Sequence, residues 1–235
     1  MSERSPGSAR VLGVDACKRG WIGIVCEEER TSAVLGRTIV ELVAAAESAS
    51  EFEVVAIDIP IGLPDAGRRQ ADLQARARVG PRWQSVFMTP VRPALVAESR
   101  VDADRINREL TGDGVSAQAY ALRSRILEAE AWVRQRTRLT VEIHPEVSFA
   151  TMAGVPLLDS KTTWAGVERR RQLLAKAGIR LVGELGHVGS LAGVDDVLDA
   201  AAAAWSARRV AAGEASSLPS PPQMFSDGLP SAIWA

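Results

Sequence analysis

The chain has 235 residues, 46% hydrophobic and 24% charged, with a formal net charge of −1. That suits one globular domain with a substantial core and argues against a disordered or fibrous chain. No apolar run approaches the ~18 residues of a membrane span, and the opening MSERSPGSAR lacks the apolar stretch of a secretory signal. The expectation is a cytoplasmic protein whose residues 1–10 are disordered, with a single domain over residues 11–235. With only Cys17 and Cys26, a disulfide scaffold and a four-cysteine zinc site are both excluded.

Val11 to Asp15 is a short apolar run that reads as a buried strand. Gly20 opens a second, WIGIVCE, and Thr31–Thr38 suits a third after a tight turn. Ile39–Ala49 has helical spacing. Phe52–Ile61 is the strongest strand signal, β-branched and stopped by Pro60, Gly62 and Pro64. Residues 65–138 are helical and charged, and their best helix starts at Ser116, with Ala119, Leu122, Ile126, Ala129 and Val133 on one face. Leu139–Phe149 returns to strand character. Thr162–Ala177 and Val194–Ala212 read as helices closed by Gly178 and Gly213. The tail from Ser216 is rich in Ser and Pro and ends in an apolar anchor, Ile233-Trp234. The predicted architecture is α/β: a mixed five-stranded sheet with flanking helices and a helical insertion after the fourth strand. Right-handed crossover places that strand beside the first.

Charge is unevenly placed. Residues 65–138 carry a net +5 and the remainder −6, a basic middle in an acidic frame that suggests a polyanion-binding surface beside a cation site. The chain has 25 Arg and 3 Lys, so arginine richness alone says little about nucleic acid.

Asp15 ends the first strand and Asp58 lies near the end of the fourth. On neighbouring strands both would meet at the switch point where α/β sheets bind ligands. Each alone is equally a strand-end cap. Asp196 and Asp199, at i and i+3, share a helix face, although Asp-x-x-Asp at a helix start is also a capping pattern. The small residues Ala200, Ala203 and Ala204 let that helix approach the sheet and carry both acids to Asp15 and Asp58. Such a carboxylate cluster needs a cation, and hard oxygen ligands suit Mg²⁺ or Mn²⁺. Glu142, His144 and Glu146 alternate along the fifth strand until Pro145 disturbs it. Glu142 is a further candidate ligand and catalytic acid, and His144 a proton shuttle or an ordinary strand-end residue. Lys161 reads as a phosphate contact or a solvated helix-start residue, and His187, in a Gly-rich loop, as incidental.

Taken together, GVDACKRGWIG, AIDIPIGLP, RRQADLQARARVGPRWQSVFMTPVRPAL, EIHPEVSF and DDVLDAAAAAW resemble the DUF429 family, described as predicted nucleases with an RNase H-like fold. The resemblance implies an acid at the end of the first strand, one on the fourth, and acids on a late helix. Asp15, Asp58, Asp196 and Asp199 occupy those positions here. The sequence has Ala16 where many relatives have Gly, and its long insertion departs from minimal RNase H domains.

Three functions compete. In the first, a metal-dependent nuclease holds one ion on Asp15 and Asp58 and a second shared with Asp196 or Asp199, for an in-line displacement. Arg68, Arg69, Arg76, Arg78, Arg82 and Arg92 would then hold backbone phosphates, while Trp83 and Phe87 either stack on bases or fill the core of the insertion. The second is a nucleotide-binding phosphotransferase of the actin-like or sugar-kinase type. The third is a silent binding or scaffold protein.

Overall fold

Residues 9–28, 30–48, 50–135 and 138–235 are described in the computed structural model of the protein. The expected disordered N-terminus falls, over residues 1–8, outside the described residues. Arg10 is held in place, its guanidinium donating to Ala46 O at 2.8 Å.

Strands β1 (Val11–Cys17), β2 (Gly20–Glu27) and β3 (Arg30–Gly36) form an antiparallel meander. Helix α1 (Ile39–Ala46), whose Thr38 hydroxyl accepts from the Glu41 amide, leads to β4 (Val54–Ile57). Strand β4 lies parallel to β1, and β5 (Leu139–Glu142) parallel to β4. The chain between β4 and β5 forms α2 (Gln70–Val79), a 3₁₀ turn over Gly80–Ser85, α3 (Arg92–Leu95), α4 (Arg100–Thr111) and α5 (Ala117–Arg134). A parallel pair needs a crossover, and α5 supplies it. Its Ile126, Ala129 and Trp132 pack with Ile39, Leu42 and Val43 of α1 on one face of the sheet. The Ser116 cap is as expected, its hydroxyl accepting from Ala119 N at 3.1 Å.

After β5 come α6 (Pro145–Ala153), α7 (Trp164–Lys176), α8 (Gly186–Gly189) and α9 (Val194–Ala211). The chain ends in β6 (Ser217–Met224) and β7 (Pro230–Trp234). Among the described residues the mixed sheet has seven strands in the order β3-β2-β1-β4-β5-β7-β6.

Two expectations are corrected. The sheet has seven strands, not five, because the Ser/Pro tail forms β6 and β7. Prolines 219, 221 and 222 are tolerated because β6 is the edge strand. The anchor expected at Ile233-Trp234 is the end of β7, with Ile233 paired to Glu142 of β5. The fifth strand is also shorter than expected. It stops at Glu142, and Pro145 takes the first position of α6, where its missing amide costs no hydrogen bond. Glu142, His144 and Glu146 therefore do not share a strand face. They are the last residue of β5, the N-cap of α6 and a residue of its first turn.

The two-residue alternation of strands sorts the core. Leu12, Val14, Val55 and Ile57 point to the α1/α5 face. Val11, Val54 and Ala56 point to the opposite face, where they meet α9 and its neighbours α6 and α7. Gly13 shares that second face, and a Cβ there would lie 2.0 Å from Ala204 N and 2.2 Å from Ala200 O. Helix α9 therefore rests backbone to backbone on β1. Residues 200–204 of α9 are all alanine, and all five are fully buried. Small side chains on both partners allow this separation, as the alanine run led us to expect. Among the described residues no helix is long and apolar enough to cross a membrane.

Candidate metal centre

The same alternation positions the acids. Gly13 pairs with Ala56 and Val14 with Ile57, and Asp58 N then donates to Val14 O at 2.9 Å. Asp15 and Asp58 continue the odd- and even-numbered series that face α9, so both carboxylates emerge beneath that helix; Asp15 does not end β1, which runs on to Cys17, and Asp58 lies one residue past β4. One turn into α9, Asp199 descends onto them. One carboxylate oxygen from each of Asp15, Asp58 and Asp199 lies within 4.8 Å of the others. Asp15 is 8% exposed and Asp199 2%. The Asp15 Oδ1 accepts from Ala16 N at 2.7 Å.

The i, i+3 pair on α9 divides its labour. Asp196 is the third residue of the helix, and its carboxylate accepts from the amide of the N-cap, Gly193. That is the reciprocal half of a capping box. Asp196 is half-buried and lines the cleft, but it is not one of the three clustered acids. Asp199 joins the acidic cluster, and Asp196 caps the helix that bears it.

Burial, and then the charges of Asp58 and Asp199, hold the Asp15 carboxyl well above the ordinary carboxylate range. Burial and Asp199 do the same to Asp58. Asp199 is raised to about 6 by burial, with Lys161 partly offsetting it. The Lys161 ammonium forms an ion pair with Asp199 Oδ2. Burial works against the lysine's charge, but Asp199, Asp58 and Asp15 together hold it protonated. The other oxygen, Asp199 Oδ1, is buried and has no hydrogen-bond partner. Carboxylate oxygens converging from three aspartates, with a buried Asp199 oxygen that has no hydrogen-bond partner among the described residues, fit a hard divalent cation.

The remaining buried acids are already neutralised. Arg69, fully buried, bonds Glu142 Oε2 at 2.5 Å, Thr89 Oγ1 and Ser231 Oγ, and lies 3.4 Å from Asp72 Oδ1. Glu142 Oε2 also accepts from Ile61 N at 2.7 Å, and burial raises that carboxyl to about 7 despite Arg69. Arg170, likewise fully buried, grips both oxygens of Glu146 at 2.6 and 2.8 Å.

The cleft above the cluster has a volume of about 480 Å³ and is lined from the sheet side by Asp15, Asp58, Glu142 and His144. The insertion roofs it with Arg82, Ser85, Phe87 and Leu122. Arg82 is half-buried, with its Nε lacking a hydrogen-bond partner. His144 Nε2 lies 3.3 Å from Ser85 O, Nδ1 has no partner, and burial lowers the ring's pKa.

The other expected phosphate contacts lie elsewhere. Arg68 pairs with Asp113, with its Nε 2.6 Å from Oδ2. Arg69 is interior. Arg76 donates to Val86 O at 2.8 Å and lies over the Trp83 ring. Arg92 bonds Glu130 and Asp227. Arg78 is exposed on α2, Trp83 is 48% exposed, and His187 is exposed on α8. Arg68, Arg69, Arg76, Arg82 and Arg92 do not form one accessible basic wall. Asp72, expected from the sequence to pair with the arginines of this segment on a solvated helix, pairs instead with Arg69 in the interior, and nothing in the sequence separates Arg170 from the other charged residues.

These features define an α/β protein with a buried carboxylate cluster just past the last parallel pairing of two adjacent strands. The chain belongs to the family described as "Protein of unknown function (DUF429)", whose family model matches residues 13–224. No curated protein and no solved structure matches it.

Proposed function

We propose that the protein is a metal-dependent phosphodiesterase whose substrate is nucleic acid. The observation that carries this reading is the convergence of Asp15, Asp58 and Asp199, with an orphaned carboxylate oxygen among them. The segment β3-β2-β1-β4-β5 of the sheet has the strand order and mixed pairing expected of an RNase H-like core, which supports the same reading by analogy of fold. A bound divalent ion supplies Lewis-acid stabilisation of a phosphoryl oxygen and a more acidic water.

The chain's own residues do the rest. Asp15, Asp58 and Asp199 hold the cation, and Asp196 caps the helix that presents Asp199. Arg82, across the cleft, contacts a non-bridging phosphate oxygen. His144, kept neutral by burial, accepts a proton from the attacking water or returns one to the leaving oxygen. Arg69 and Arg170 neutralise Glu142 and Glu146, which leaves the three aspartates, with Lys161 beside Asp199, to hold a cation.

The test is cleavage of end-labelled single- and double-stranded DNA and RNA with Mn²⁺ or Mg²⁺, beside a chromogenic phosphodiester, for wild type and Asp15→Asn. Divalent-dependent cleavage that Asp15→Asn abolishes supports the proposal; its absence on every substrate overturns it. A second reading, a small phosphoester substrate, is favoured by the internal pairing of Arg68, Arg69 and Arg92 and by the modest cleft. Cleavage of the chromogenic ester without cleavage of any nucleic acid would select it.

A further inference from the structure

Around the cleft, the interior acids outside the aspartate cluster are each paired with a buried arginine. Glu142 and Asp72 share Arg69, and Glu146 has Arg170. Among the described residues Asp15, Asp58 and Asp199 pair with no arginine, and the cation beside them is Lys161, paired with Asp199. Three carboxylates and one ammonium leave a charge of −2 in a largely buried pocket, which one divalent ion balances.

Lys161 does not reach the cluster as a loose surface side chain. It sits in the turn before α7, and that turn is built from several sides. Arg170 Nη1 donates to Asp159 O at 3.1 Å while its Nη2 holds Glu146 of α6. The Thr163 hydroxyl donates to Ser160 O at 2.8 Å. Gly166 lies so close to this turn that a Cβ would come within 1.8 Å of Ser160 O. A fully buried arginine, a hydroxyl and a glycine contact therefore fix the two residues before Lys161. The ammonium is delivered to Asp199 Oδ2, leaving Oδ1 free for the ion. Part of the lysine side chain stays exposed, within reach of a ligand in the cleft.

We propose that the Lys161 ammonium is the resident second cation of this site, so that the aspartate cluster takes one divalent ion per chain rather than two. The inference rests on the metal-centre reading above and deepens it. Lys161 then occupies the side of Asp199 that a second ion would need, and offers a hydrogen-bond donor to a phosphoryl or leaving-group oxygen.

The test is Mn²⁺ binding to the full chain, followed by isothermal titration and by electron paramagnetic resonance, with wild type, Lys161→Gln and Lys161→Arg. Wild type should bind one Mn²⁺ per chain with no spin-coupled signal. Lys161→Gln should gain a second, coupled ion or bind the first at least tenfold more tightly, while Lys161→Arg stays at one ion. Two coupled ions in wild type overturn the inference and leave the metal centre standing. A Lys161→Gln variant with unchanged count and affinity overturns it as well. No binding by wild type removes the metal centre itself. If Lys161→Gln does not fold, the wild-type count decides alone.

Discussion

Gly13 of β1 and Ala204 of α9 meet backbone to backbone, so that a single added methyl at Gly13 would stand 2.0 Å from the Ala204 nitrogen. This contact sets the height of α9 above the sheet and thereby the depth to which Asp199 reaches. Gly13→Ala should lift the helix. Overpacking a tight interior costs about 1–3 kcal/mol, and because both colliding atoms belong to backbone we expect the upper end. The variant should melt at a lower temperature and bind Mn²⁺ more weakly, although no carboxylate has been removed. A variant with wild-type metal affinity would show that Asp199 is not positioned through this contact.

Asp15→Asn keeps the shape of the side chain and removes one charge from a group of like charges. Without divalent ions the variant should be as stable as wild type or more so, because repulsion on Asp58 and Asp199 is relieved. Its Mn²⁺ affinity should fall by at least tenfold. Equal affinity in calorimetric titrations of the two proteins would count decisively against the site.

The pH dependence has a definite sign. An unfolded aspartate titrates near ~3.9, whereas burial holds Asp199 at about 6 in the folded chain. Between those values the folded state binds more protons than the unfolded one, so stability falls as pH rises through the window. Asp15 and Asp58, also raised, act in the same direction. In chelator, the melting temperature of wild type should drop more steeply from pH 4 to 6 than that of Asp199→Asn, and Mn²⁺ should restore stability above pH 6. Parallel slopes for the two proteins would sink this expectation.

Arg69 and Arg82 belong to one basic segment, yet their substitution should have opposite consequences. Arg69→Met strands Glu142 and Asp72 as buried charges, and breaking such pairs costs about 3–5 kcal/mol. Chemical denaturation should register that loss. Arg82→Gln should leave stability nearly unchanged and weaken substrate binding, reducing the slope of log affinity against log salt by roughly 0.7–0.9 for one phosphate contact. Binding measured across a salt series separates the two roles, and an unaltered slope in Arg82→Gln would remove this arginine from the substrate site.

Much of the central fold was legible along the chain. The apolar run of β1, the run of β-branched residues in β4 and the caps at Ser116 and Gly178 are local signals, since each depends on residues a few positions apart. The closeness of Asp15 to Asp58 followed from them once a right-handed crossover was assumed, and the alanines of α9 announced a close approach to the sheet. Other features had no local signature. Prolines in β6 read as loop because their tolerance depends on lying at an edge, a property of the whole sheet. Strand β5 stops at Glu142 and Pro145 begins α6 with no change in composition. Which arginines face solvent and which neutralise buried acids was decided by tertiary structure alone. Arg68 and Arg69 are adjacent in sequence, yet one pairs at the surface with Asp113 and the other lies fully buried against Glu142. Local periodicity determines which face of an element a side chain occupies; the desolvation and partnering of a charge depend on what the rest of the chain brings to that face.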